Sequence, residues 1–277
     1  MRRQEITQQG AIEQVNCERS APDIGAPHTI IAGEHVGTAD VLTIAARANC
    51  EFTDRGGIAQ AEIKSLRTDW REHVSSFTDK RDMLVGETAD GGDMALENDI
   101  ERVFDTASDT FGSLTHFVHS SGIIGDNSRL DDVKAETIRE VLDVDTFGAL
   151  LCLRACVRHM STKHGGKGGS VVMLSSMAAP LGGANECVWY AAAKAGVDSM
   201  VIGVSREVAK EGIRVNAVTP GVIDTDIQPP GRIERVLPML PMGRAGQADE
   251  VGEAVLFLLS DAASYINGAN LRVSGAR

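Results

Sequence analysis

The sequence predicts one α/β domain built on a doubly wound parallel sheet with helices on both faces. Two observations carry that expectation: short apolar runs ending in glycine or small polar residues recur along the chain, and segments with helical spacing of apolar residues stand between them. No stretch rich in Pro, Gly or Ser divides the middle of the 277 residues, so a single domain is the better count.

The elements follow in order. Residues 1–27 are polar and without a sustained period, and are expected to form a disordered extension, with the domain over 28–277. "HTIIAG" (28–33) reads as a strand running into a glycine turn, and "TADVLTIAARANC" (38–50) as the helix after it, from the spacing of Val41, Leu42, Ile44 and Ala45. Residues 50–93 break the rhythm: they should supply two more strands, yet only "DMLVG" (82–86) reads as buried strand. Four further strands are expected in 114–122, 170–176, 213–221 and 270–275. Helices are expected over 99–110, 131–160, 188–210 and 248–260. Strands alternating with helices make βαβ units, and the fold they imply is Rossmann-like.

Composition narrows the class of function. With 43% hydrophobic and 24% charged residues the chain reads as globular, and its net charge of -12 opposes attraction to nucleic acid or to an anionic membrane surface. No apolar stretch reaches the length of a membrane span, and the basic "MRRQEITQQG" start has no hydrophobic region behind it, so the cytoplasm is the expected location. The five cysteines form no CxxC and carry no zinc-ligand spacing; no metal is expected, and Cys152 and Cys156, one helical turn apart, read as buried thiols.

In an open parallel sheet, ligands bind at the carboxyl ends of the strands, so those ends hold the candidate chemistry. The first is "AGEHVGTAD", where Gly33 and Gly37 would permit close backbone approach of a phosphate to a helix N-terminus. By itself this is equally a tight turn without a ligand. The next ends are "HSSG" (119–122), "LSS" with Ser175 and Ser176, and "TPGVIDT" (219–225). Tyr190 and Lys194, in "CVWYAAAKAGVDSM", are four residues apart and share one helix face. A serine, a tyrosine and a lysine at neighbouring strand ends can move a proton on and off a carbonyl or alcohol oxygen. The serine holds the oxygen, the tyrosine exchanges the proton, and the ammonium lowers the tyrosine pKa from about 10.

Over roughly residues 99–277 the chain resembles the short-chain dehydrogenases/reductases, among them glucose and 3-oxoacyl reductases. The resemblance rests on an ordered set: Ser176 fourteen residues before Tyr190, "YAAAK" as the Tyr-x-x-x-Lys signature, "IRVNAVTPGVIDTDI", and the closing "PMGRAGQADEVGEAVLFLLSDAASYINGANLRVSG". It implies that Tyr190 is the general acid/base, that Ser176 orients the substrate oxygen and that Lys194 bonds the nicotinamide ribose while biasing the Tyr190 pKa downward. Pro220, Gly221, Ile223 and Thr225 would border the nicotinamide. Gly33, Val36 and Gly37 would approach the pyrophosphate, Ser120, Ser121 and Gly122 would border the adenosine ribose, and Asp93, with Asp90 as an alternative, would contact the adenine. Dimers or tetramers of identical subunits, packed through the two long helices, are implied as well.

Several positions depart from that family's pattern. The glycine loop has Ala32 and Ala39 where a threonine and a glycine are usual, and His119 and Ser120 stand where two asparagines are usual. Asp145 occupies the place of an asparagine linked through water to the lysine, and adds a negative charge near Lys194. His119 at a strand end reads as a local hydrogen-bonding residue. Near the expected end of the second strand Asp54 argues for NAD and Arg55 for NADP, so both cofactors stay open. The expected activity is NAD(P)-dependent interconversion of an alcohol and a carbonyl on a small substrate, with a lid over 225–244. The alternative is a cofactor-impaired member serving as an oligomeric binding or scaffold protein.

Overall fold

A computed structural model describes residues 31–36, 39–44, 92–225 and 227–277. Strands β2 (Ala39–Ile44), β3 (His116–His119), β4 (Gly169–Leu174), β5 (Ile213–Pro220) and β6 (Asn270–Val273) lie side by side in that order, each neighbouring pair parallel. At one edge β1 (Ile31–Val36) pairs antiparallel with β2, with a register irregularity between Ala32 and His35. The expected helix after the first glycine turn is thus a strand over Ala39–Ile44. A six-residue run containing Val41, Leu42, Thr43 and Ile44 suits either state, and its parallel ladder from Val41↔His116 to Ile44↔His119 decides for the strand. The expected strand at 82–86 lies outside the described residues.

Burial explains why the central strands read as continuous apolar runs. In β4, Val171 and Met173 join the large core on one face, whereas Val172 joins Val118 and Val218 in a second core on the other. Successive side chains of a strand point to opposite faces, so a sheet covered on both sides needs apolar residues at every position. The larger core is closed by α1 (Glu97–Phe111), α3 (Ala149–Met160) and α4 (Val188–Val208); the smaller one by α6 (Ala248–Leu259), through Val251, Val255, Leu258 and Leu259. Helix α1 buries Ile100, Val103, Phe104 and Ala107, the one-face spacing expected of a surface helix, and its Phe104 ring lies 5.3 Å from that of Phe117 on β3.

The helix expected over 131–160 is divided. Helix α2 (Ala135–Leu142) passes into a π turn, Asp143–Gly148, before continuing as α3. At Gly148 the turn meets the segment ahead of α1, where an added Cβ would lie 2.3 Å from the Met94 carbonyl oxygen. A widened turn of this kind re-aims side chains within a helix, and here it carries Asp145 into the interior. Cys152 and Cys156 are buried on α3, and burial raises both thiols above their ordinary pKa.

Candidate active site

The site gathers at the carboxyl ends of β3, β4 and β5. Beyond Leu174 the sheet ladder continues, with Ser175 N–H donating to the Val218 carbonyl and Met177 N–H to that of Pro220, both at 2.9 Å; Ser176 is thereby held at the strand end. Its Oγ accepts from the Ala178 N–H at 3.1 Å. Tyr190 belongs to the first turn of α4, where the neighbouring Trp189 indole N–H donates to the Ile124 carbonyl at 2.7 Å and pins that turn against the loop after β3. Ala191 and Ala193 are buried, letting the helix lie close to the sheet, and Lys194 follows one turn after Tyr190.

A cavity of about 290 Å³ opens between these ends. Ser176, Tyr190 and Lys194 line it, as do Ser120 and Gly122 after β3, and Pro220, Gly221, Ile223 and Thr225 after β5. Ser121 takes part through its backbone: its carbonyl and that of Leu174 accept from Lys194 Nζ, each at 3.3 Å. Asp145 lies behind the lysine, fully buried, with Oδ1 accepting from the Ile123 N–H at 2.8 Å and Oδ2 at 3.3 Å from Lys194 Nζ. Gly122 is where these groups come nearest the backbone; a Cβ there would lie 2.8 Å from Lys194 Nζ and 3.0 Å from Asp145 Oδ2.

Not every expected residue reaches this cleft. Gly33 and Val36 fall within edge strand β1, two strands from β3, and Gly37 lies outside the described residues. Asp93 precedes α1 and is engaged locally: its Oδ1 accepts from the Ala95 N–H at 2.8 Å and its own N–H donates to Asp99 Oδ2 at 2.7 Å. It does not line the cavity.

The electrostatics also depart from expectation. The Tyr190 pKa is raised on balance: burial pushes it up most, the Lys194 charge pulls it down, the Asp145 carboxylate pushes it up again, and a hydrogen bond with Ser176 favours the phenolate. The ammonium acts in the expected sense and is outweighed. Burial opposes charge on Lys194, but Asp145 and Tyr190 overcome it and raise its pKa, so it stays an ammonium. Burial raises Asp145, with Lys194 opposing. His119 is buried, and desolvation followed by the Lys194 charge lowers its pKa to about 3, which makes it a neutral ring at ordinary pH.

Known proteins match most of the chain in sequence. The sequence fits the family described as enoyl-(acyl carrier protein) reductase over residues 58–275. It is 40% identical over 189 residues to the uncharacterized oxidoreductase YgfF of Escherichia coli, covering 67% of this chain and 76% of that one. It is 33% identical over 231 residues to a 3-oxoacyl-(acyl-carrier-protein) reductase of Synechocystis, covering 79% and 92%, and 32% identical over 189 residues to an L-rhamnose-1-dehydrogenase of Scheffersomyces stipitis, covering 66% and 72%. The chain belongs to the short-chain dehydrogenase/reductase family. It is an NAD(P)-dependent oxidoreductase of that family.

For a short-chain dehydrogenase/reductase, the described residues suit the nicotinamide end of the cofactor. The cleft at the strand ends is lined by Gly122 and Gly221 and by Tyr190 and Lys194, whose phenol and ammonium offer polar groups to a bound cofactor. Its apolar lining includes Val118, Leu174 and Val222. Several cleft residues escape a reading of the sequence alone. Glu186, four residues before Tyr190, faces the cavity together with Arg232 of the short helix α5 (Arg232–Val236). Arg232 Nη2 donates to Glu186 Oε2 at 2.9 Å and Arg235 Nη2 to Oε1 at 2.8 Å. Burial disfavours that carboxylate's charge, but the two guanidinium groups win and hold its pKa below the ordinary value. The available signal was the run of three arginines at 232, 235 and 244 within the expected lid, which pointed to an acidic partner without saying which one.

Proposed function

We propose that the enzyme interconverts an alcohol and a carbonyl on a small substrate such as a sugar, alcohol or ketone, with Tyr190 as the general acid/base. The observation that carries this reading is that Ser176, Tyr190 and Lys194 line one cleft at the strand ends, with the Lys194 ammonium 5.7 Å from the phenol ring centre. When bound, a nicotinamide cofactor supplies or accepts the hydride. Ser176 Oγ holds the substrate oxygen beside the phenol. In reduction Tyr190 gives its proton to that oxygen as negative charge develops there; in oxidation the phenolate takes the hydroxyl proton. Lys194, fixed by the Ser121 and Leu174 carbonyls, presents its charge to the ribose and to the phenol. Pro220, Gly221, Ile223 and Thr225 would border the nicotinamide, and Ser120, Ser121 and Gly122 the adenosine ribose; all of these but Ser121 line the cavity.

NAD and NADP both remain candidates, because the residues expected to choose between them, Asp54 and Arg55, lie outside the described residues. Gly33, Val36, Gly37 and Asp93 keep their proposed part on the pyrophosphate and adenine side. A homodimer or homotetramer is proposed, supported by apolar side chains left exposed near and along the long helices: Phe147 in the π turn, Leu150 on α3 and Ile202 on α4. The scaffold alternative gains no support from the relatives, which are named as oxidoreductases and dehydrogenases.

Tyr190→Phe tests the reading. The variant is expected to quench or shift nicotinamide fluorescence on binding as the parent does, while turnover on a substrate accepted by the parent falls by roughly 10²–10⁴-fold. Unchanged turnover would refute Tyr190 as the acid/base.

A further inference from the structure

The cleft carries a surplus of positive charge in a chain whose net charge is -12. Among the described residues three cations line it, Lys194, Arg232 and Arg277, against one carboxylate, Glu186. Two of the cations are already matched: Lys194 lies 3.3 Å from Asp145, and Arg232 donates to Glu186, whose other oxygen accepts from Arg235. Arg277 is half-buried, and among the described residues no carboxylate pairs with it. An arginine that lines a cleft without an acidic partner is ready to take an anion, because its planar fork matches a carboxylate with two parallel hydrogen bonds.

The backbone is strained to hold Arg277 there. Residues 274–277 form a tight turn: the Arg277 N–H donates to the Ser274 carbonyl at 3.2 Å, the Ser274 hydroxyl to the Arg277 carbonyl at 3.3 Å, and the central residues have φ of 59° and 67°. Glycine suits the first of these, Gly275, but Ala276 at the second crowds its side chain against the backbone. Among the described residues the non-glycine positions with positive φ are Asn185 and Ala276, and they immediately precede Glu186 and Arg277. Strain of this kind persists only where the surroundings enforce it, and it gathers at binding sites. Here the turn is seated on the end of β5: the Gly221 N–H donates to the Val273 carbonyl at 2.9 Å, and a Cβ at Gly221 would lie 2.8 Å from Ser274 Cα. Sheet order also separates Arg277 from the cofactor's phosphates. It follows β6 at one edge, whereas Gly33 and Val36, expected at the pyrophosphate, fall on β1 at the other.

Building on the carbonyl–alcohol reading above, we infer that Arg277 is a specificity-determining residue that binds a carboxylate on the substrate, and that the enzyme acts on keto acids and hydroxy acids. One unmatched positive charge calls for one negative charge. The carboxylate is a handle and takes no part in the transfer: in reduction the carbonyl carbon receives the hydride and the carbonyl oxygen the proton from Tyr190.

The test is reduction, by the full chain with NADH or NADPH, of straight-chain keto acids in which two to five methylene groups separate the carbonyl from the carboxylate, each beside its methyl ester. At least one acid is expected to exceed its ester in kcat/KM by roughly 10-fold or more, as a charge-assisted hydrogen bond gives. Arg277→Gln is expected to lower kcat/KM for that acid by about 10–100-fold, chiefly through KM, and to change the ester far less. The ester is thus the control for fold. Esters that match or exceed their acids across the series overturn the inference with no variant needed, and so does a protein that reduces neither. An equal loss on acid and ester in Arg277→Gln overturns it too, as does a weakening of cofactor binding, read by nicotinamide fluorescence, that accounts for the loss. Esters reduced as well as acids would leave the role of Tyr190 standing, whereas unchanged turnover in Tyr190→Phe would refute that role and leave a preference for acids standing.

Discussion

The two walls of the cleft are held by different physics. On one, Tyr190, Lys194 and Asp145 are buried, and the lysine and the aspartate are tied to backbone groups at the ends of β3 and β4. On the other, α5 is fastened to Glu186 by two arginines, one of them 61% exposed, and the neighbouring Arg244–Glu250 pair lies wholly at the surface. Buried charges keep their geometry because misplacing them leaves an uncompensated charge, whereas exposed ion pairs contribute little and open cheaply. On the proposed reading, with residues 225–244 as the lid over the substrate, this is a division of labour in which the chemical wall is preorganised and the substrate wall is adjustable.

The largest blow to the chemical wall is Tyr190→Phe, whose loss of roughly 10²–10⁴-fold in turnover should come without loss of fold. Next is Gly148→Ala. Its Cβ would press on the Met94 carbonyl oxygen at 2.3 Å, so the π turn must shift; denaturant unfolding should register a loss of about 1–3 kcal/mol. On the substrate wall the effects shrink. Glu186→Gln removes a partly exposed carboxylate shared by Arg232 and Arg235, at a cost of about 0–1 kcal/mol. Steady-state kinetics should show KM changing a few-fold and kcat less; an equal loss in kcat would mean that this wall too is part of the chemistry. Smallest is Glu250→Gln. Hydrogen bonds from Arg244 and from the Gln247 N–H lower the Glu250 pKa from 4.5 to about 2. Its contribution to stability is therefore present above the unfolded value and lost as pH falls through the folded one. The variant should melt slightly below the parent at neutral pH, show a flatter acid limb, and converge with the parent as pH falls to about 2.

The same contrast separates what was legible in the sequence from what was not. Strands β3 to β5 announced themselves because two-sided burial demands nearly unbroken apolar runs, as in Val171–Val172–Met173. Tyr190 and Lys194 were legible as one helical turn, a relation that local geometry enforces. The segment Ala39–Ile44 was misread because a six-residue run in which five are apolar or β-branched satisfies a helix or a strand equally, and the ladder to β3 lies more than seventy residues away in the chain. The break at Asp143–Gly148 left no local mark either, and at Gly148 it lies against Met94 from a different segment.

By itself the sequence determined the alternation of strands and helices, the neighbourhood of Ser176, Tyr190 and Lys194, and the presence of a carboxylate at position 145. Only the tertiary structure decided that this carboxylate is buried against the lysine, that burial and Asp145 together outweigh the ammonium at the phenol, and that Glu186 is the acidic partner of Arg232 and Arg235. Spacing along the chain settles what a single turn or strand can bring together. Charge balance depends on solvent exclusion and on distances between segments far apart in sequence, which only packing sets.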